Sequence, residues 1–176
     1  IGTIAHNAIE TYINDWIVTD IRPASILTYV PEGVDPRVIA ACRCAENALT
    51  KREVIPIASE LLVGRETLSA GTLDLLVMDK KGKLELWDFK TSNNIDDFYA
   101  IQTVTYNRFL SYMTKAKLNC KTVLIIKLDK FSDKPKIYNV LGFGRAFRAF
   151  EALCDIYDYM NDGEAKMIED KIVIKI

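Results

Sequence analysis

Asp74, Asp88 and Lys90 are three charged residues set in apolar surroundings where simple solvation does not account for them. Asp88 and Lys90 belong to Leu84-Glu85-Leu86-Trp87-Asp88-Phe89-Lys90-Thr91, a segment that reads as a mostly buried strand. Side chains two apart on a strand share a face, so this carboxylate and ammonium emerge side by side. A charged pair on so apolar a strand needs partners or water. The doublet alone is not diagnostic. An acid two places before a lysine also occurs at Asp79-Lys81, Glu164-Lys166 and Glu169-Lys171, which read as surface turns or tails. Asp74 interrupts the apolar run from Thr72 to Met78, just after Gly71. A hairpin turn at Lys80-Lys81-Gly82 makes this strand the antiparallel neighbour of the Asp88 strand and puts Asp74 opposite residues near Asp88–Lys90. Two carboxylates and an ammonium on one patch suit a hard divalent cation with its waters, or else an ion-paired sheet end. His6, the single histidine, shares a helix face with Glu10 four residues on, an arrangement that a local hydrogen bond would also explain. Gln102 and Tyr106 are likewise four apart.

Those residues need elements to hold them. Ile4, Ala8, Ile9, Ile13, Trp16 and Ile17 recur at helical spacing from Thr3 to about Thr19. A proline-bearing loop follows, then a helix from Pro36 to about Arg52 with proline in its first turn. Pro56 is taken as a break. Strands are expected at Ile57–Gly64, Thr72–Asp79 and Lys83–Thr91, then a helix from an Asp96 cap to about Thr114. Lys121–Leu128 and Lys136–Leu141 read as a strand pair, Gly144–Asn161 as a helix, and Ile172–Ile176 as an edge strand. The order implies one α/β domain over residues 1–176, with helices flanking a mixed sheet. The chain starts Ile1-Gly2-Thr3 with no initiator Met, so a trimmed start is expected.

Taken in order, Gly2-x-x-x-His6-x-x-x-Glu10, Glu60, Gly71-Thr72-Leu73-Asp74, Asp88-Phe89-Lys90 and Gln102-x-x-x-Tyr106 resemble the motif series of the PD-(D/E)xK nuclease superfamily. The best match is its RecB-like branch, which includes lambda-type and other phage exonucleases. The resemblance covers roughly residues 1–128, with Asp88 where Glu is commoner. It implies a restriction-endonuclease-like core and hydrolysis of DNA phosphodiesters with one or two Mg2+ or Mn2+ ions. Asp74, Asp88, His6 and the Phe89 carbonyl would be the ligands. Lys90 would hold or deprotonate the attacking water and counter phosphorane charge, and bound cations would lower its pKa. Gln102 and Tyr106 would orient Lys90 and contact the scissile strand. Glu10 and Glu60 would orient ligands or hold a second ion. Some members carry a four-cysteine iron–sulfur cluster with three closely spaced cysteines near the end. Here the cysteines stand at 42, 44, 120 and 154, so no such cluster is expected and free thiols in a reducing cytoplasm are.

Composition bounds the rest. Hydrophobic residues make up 49% and charged residues 27%, the balance of a globular domain rather than a disordered one. No apolar run is long enough to span a bilayer, and no secretory leader pattern is present, so a cytoplasmic protein without membrane association is expected. The net charge of −1 argues weakly against nucleic acid. Between Lys115 and Lys136, however, seven lysines face Asp129 and Asp133, a local balance of +5. Lys115, Lys117, Lys121 and Lys130 are candidates to track a DNA backbone, with a solvated rim as the competing reading. Arg65, Arg145 and Arg148 are candidates for a terminal phosphate. Three functions follow: an exonuclease working with a recombination or annealing protein in phage or mobile-element recombination; a structure-specific or restriction-like endonuclease; or a non-catalytic nucleic-acid-binding domain.

Overall fold

In the computed structural model, which describes residues 1–65 and 69–161, the helical and strand patterns resolve into four α-helices and a five-stranded sheet. α1 (Gly2–Thr19) buries Ala5, Ala8, Ile9, Tyr12 and Ile13. Ile4 is 41% exposed, so the inward stripe is rotated from the expected one and recruits Ala5 and Tyr12 instead. A 3-10 turn at Ile26–Tyr29 leads to α2 (Pro36–Arg52), where Pro36 needs no amide partner and the Asp35 carboxylate accepts the Arg37 N–H.

The sheet runs β1 (Ile55–Arg65), β2 (Ser69–Met78), β3 (Leu84–Lys90), β4 (Thr122–Lys127) and β5 (Lys136–Asn139), in that spatial order. Pro56 does not break the chain as expected. It lies inside β1, opposite Val77, and what it marks is a slip of register between Pro56 and Ala58. An edge strand tolerates proline because one side of its ladder goes unused. The β2–β3 turn forms where expected: Asp79 Oδ1 accepts the N–H groups of Lys81 and Lys83, and Gly82 takes φ 73°. All sheet pairings are antiparallel except β3 with β4, whose crossover is α3 (Asp97–Met113). The Asp96 carboxylate caps α3 by accepting the Phe98 N–H. α4 (Phe143–Asn161) closes the described part, and the expected strand Ile172–Ile176 lies outside it.

Alternation along β3 divides the core. Trp87 and Phe89 pack with α1 and α2 on one face, while Leu86 joins Val104, Phe109 and Leu110 of α3 on the other. Glu85 is buried too, paired with Arg52 and accepting from Trp87 Nε1 at 2.9 Å. No helix among the described residues is long and apolar enough to cross a membrane.

Candidate active site

The β2–β3 ladder runs from Met78–Leu84 to Leu75–Trp87 and then stops. One step further, Asp74 stands beside Asp88, and Asp74 Oδ2 accepts the Phe89 N–H at 2.7 Å. A side-chain oxygen thus replaces the missing backbone acceptor. The N–H and C=O of one strand residue face the same neighbour, so the Phe89 carbonyl also turns towards β2 at this ladder end. The Lys90 carbonyl turns the other way and accepts the Leu128 N–H at 2.8 Å.

Asp88 and Lys90 share the face that looks towards α3. Asp88 is 2% exposed. Lys90 Nζ lies 3.0 Å from Asp88 Oδ1 and 2.9 Å from Oδ2, but it is aligned for hydrogen bonding only with Oδ1. Oδ2 is buried with no hydrogen-bond donor among the described residues. Its charge is met by the Lys90 ammonium, which leaves its lone pairs free to accept from a further cation or donor. Lys90 Nζ also donates to Gln102 Oε1 at 3.0 Å and sits 5.0 Å from the Tyr99 ring centre. The Tyr99 hydroxyl is in turn 2.6 Å from Ser92 Oγ.

Glu60 completes the row across the sheet. The flanking pairs Ser59–Leu75 and Leu61–Leu73 place it beside Asp74. Its φ is +50°, a left-handed conformation that a non-glycine strand residue adopts only under constraint. The residue as a whole is exposed, yet partial burial, Asp74 and Glu10 push its carboxyl up to about 7. From α1, His6 acts on Asp74 and Glu10 on Glu60 through their charges. Burial raises Asp74 against the opposing pull of the Phe89 N–H, His6 and Lys90. Asp88 is raised by burial and then by Asp74, with Lys90 opposing. Burial works to lower the Lys90 ammonium but is outweighed by the charge and hydrogen bond of Asp88, so its pKa rises. The lowering expected at this lysine belongs to a state with bound cations; the protein alone gives the opposite sign. Tyr106 is raised by burial and by Asp88.

Two motif glycines acquire a physical reason. A Cβ at Gly71 would stand 2.4 Å from Tyr106 Cε1, and one at Gly2 would stand 2.9 Å from Thr91 Oγ1. Among the described residues no three His, Cys, Asp or Glu side chains form a ready-made metal cage. The chemistry of the donor set nevertheless suits a hard divalent ion: Asp88 Oδ2, which has no aligned hydrogen-bond donor, the Asp74 carboxylate, a backbone carbonyl and an imidazole.

The structure brings together Asp74, Asp88, Lys90, Gln102, Tyr106 and Glu60, with His6 and Glu10 of α1 near enough to act on Asp74 and Glu60 through their charges. Asp79-Lys81 is a turn, and Glu164-Lys166 and Glu169-Lys171 lie outside the described residues. Arg65, Lys115, Lys121 and Arg148 line clefts beside α3 and α4 rather than this cluster, while Lys117, Lys130 and Arg145 do not line those clefts. Tyr99 was not anticipated, although its spacing of three and seven from Gln102 and Tyr106 puts it on their helix face. The thiols of Cys42, Cys44 and Cys120 are free and buried and that of Cys154 is free and half-buried, as expected.

No protein-family model matches the chain, and no curated protein matches it. Among solved structures it is similar to a protein of unknown function from Silicibacter pomeroyi, 14% identical, covering 78% of this chain and 99% of that one, with a TM-score of 0.33.

Proposed function

We propose that this chain is a metal-dependent DNA nuclease with a restriction-endonuclease-like core, of the RecB-like PD-(D/E)xK type. We place it among the exonucleases that process DNA ends in phage or mobile-element recombination and repair, beside a recombination or annealing protein. The observation that carries this reading is the meeting of Asp74, Asp88, Lys90 and Gln102 at the open end of the β2–β3 ladder.

Asp74, Asp88, His6 and the Phe89 carbonyl would hold Mg2+ or Mn2+, with Glu60 and Glu10 available for a second ion. Such an ion, when bound, supplies a hydroxide nucleophile near neutral pH and relieves charge on the leaving oxygen. The rest falls to the chain's own residues. The Lys90 ammonium, steadied by Asp88 and Gln102, is positioned to bind a water lone pair or a phosphate oxygen where negative charge builds up. Gln102 holds Lys90 in one rotamer, and the Tyr106 hydroxyl borders the same space for a strand to pass. The Tyr99 ring packs under the ammonium and excludes water from its far side.

One assay tests both the chemistry and the class. With Mg2+ or Mn2+, the protein should digest linear DNA from an end and leave covalently closed circles intact. Asp88→Ala and Lys90→Ala should each abolish digestion with the fold retained by circular dichroism. Wild-type-like cleavage by either variant would sink the site, and linearisation of closed circles at the linear-substrate rate would favour the endonuclease.

A further inference from the structure

Five cations, Arg65, Arg108, Lys115, Lys121 and Arg148, line two clefts along the seam between α3 and α4, with Glu151 the single carboxylate in the lining among the described residues. The clefts have volumes of about 350 and 530 Å³ and share Arg108, Phe147 and Glu151, so they lie side by side, and the pair makes up the basic channel. In a chain with 23 basic and 24 acidic residues, a solvated rim would mix the signs. Here they are segregated. Among the described residues none of the five is in an ion pair. Arg65 lies 5.3 Å over the Tyr112 ring and Arg108 5.6 Å over the Phe147 ring. A ring beneath a guanidinium restrains it while leaving N–H groups free for phosphate oxygens.

The channel is not the catalytic cluster. At 3.6 residues per turn, Arg108 is rotated about 120° around α3 from Gln102, on the helix's other flank, and Lys115 lies beyond the helix end. We propose that the channel is a separate binding site for single-stranded nucleic acid, with phosphates on the five cations and unpaired bases against Tyr112 and Phe143. A duplex hides its base faces. Only a single strand can use cations and rings together. The site goes beyond the nuclease reading and does not depend on it.

The test is anisotropy of a fluorescent single-stranded DNA 20-mer, in excess chelator so that cleavage plays no part. Arg65→Ala with Arg108→Ala should weaken binding roughly tenfold. The slope of log affinity against log salt should fall by about 0.7 for each phosphate that is no longer neutralised. Lys115→Gln with Lys121→Gln, on exposed side chains, should lower the slope likewise without touching the stacked rings. Unchanged affinity and slope in both folded variants, or no wild-type binding, would overturn the proposal. Inorganic polyphosphate binding as tightly as the oligonucleotide would overturn the nucleic-acid assignment. Failed cleavage in the metal assay leaves the channel standing, and unchanged oligonucleotide binding leaves the nuclease reading standing.

Discussion

A single atom at Gly71 decides whether Tyr106 can stand where it does. The absent Cβ is the space that the tyrosine ring occupies, with Cε1, Oη and Cζ all within 2.8 Å of where it would be. Alanine there must push the ring away or bend β2, and both are costly in a packed interface. Gly71→Ala should therefore destabilise the fold by about 1–3 kcal/mol and lower cleavage more than the stability loss explains. Chemical denaturation and cleavage rates on the same preparation check this. Tyr106→Phe, which keeps the ring, should leave stability near wild type and so separate packing from the hydroxyl's role. Unaltered stability and activity in Gly71→Ala would mean that the close approach does not constrain the site.

At the scale of elements, β1 carries a cost that its own pairing does not explain. Glu60 has φ +50° between two regularly paired neighbours, which bends the strand locally and sets its carboxyl beside Asp74. A left-handed non-glycine residue costs about 1–2 kcal/mol, and crowding by Asp74 and Glu10 adds repulsion. Glycine removes both burdens at the expense of some strand entropy. Glu60→Gly should raise stability by about 1 kcal/mol or less while reducing metal-dependent cleavage. This exchange is expected where strain serves a site. A lower urea midpoint for the variant, with an unchanged slope, would show that the residue rests there without strain. α3 plays the complementary part, because its Asp96 cap sets the helix start and thereby the height at which Tyr99, Gln102 and Tyr106 meet Lys90.

At the scale of the whole molecule, two cores back the two faces of one sheet, and the cysteines report on both. Cys42 and Cys44 belong to the core under α1 and α2, where burial pushes each thiol up to about 11. Cys120 lies in the other core, and burial pushes it up to about 12. Cys154 on α4 is half-buried. Burial and then Asp158, Asp155 and Glu151 raise the Cys154 thiol as well, so access rather than thiolate content sets it apart: a maleimide near neutral pH should label Cys154 first and the other three only on unfolding. Mass spectrometry of the folded protein should show one added label, rising to four in denaturant. Rapid labelling of Cys42 or Cys44 in the folded protein would mean that α2 opens independently of the sheet.

What the amino-acid order determined by itself was local. Alternation put Asp88 and Lys90 on one face, and the tight turn at Lys80–Gly82 set the β2–β3 register that brings Asp74 to them. Period-two strands and short hairpins leave little freedom, so these three residues were legible as a group before any tertiary contact. The helix caps and the mixed sheet followed from equally short-range rules. Pro56 misled, because whether a proline breaks a strand depends on whether that strand lies at an edge, which only the sheet order settles. The Tyr99 support under Lys90, the Gly71–Tyr106 approach and the backbone of Glu60 likewise depend on how β1, β2 and α3 are pressed together. The basic channel is the clearest case. Arg65, Arg108, Lys121 and Arg148 are scattered along the chain, and only the packing of β1, β4 and α4 against α3 gathers them, apart from the Asp74–Asp88–Lys90 cluster. Side-chain pairs set by the backbone's own period can be read from sequence, whereas groupings made by packing between distant elements are decided by the tertiary fold.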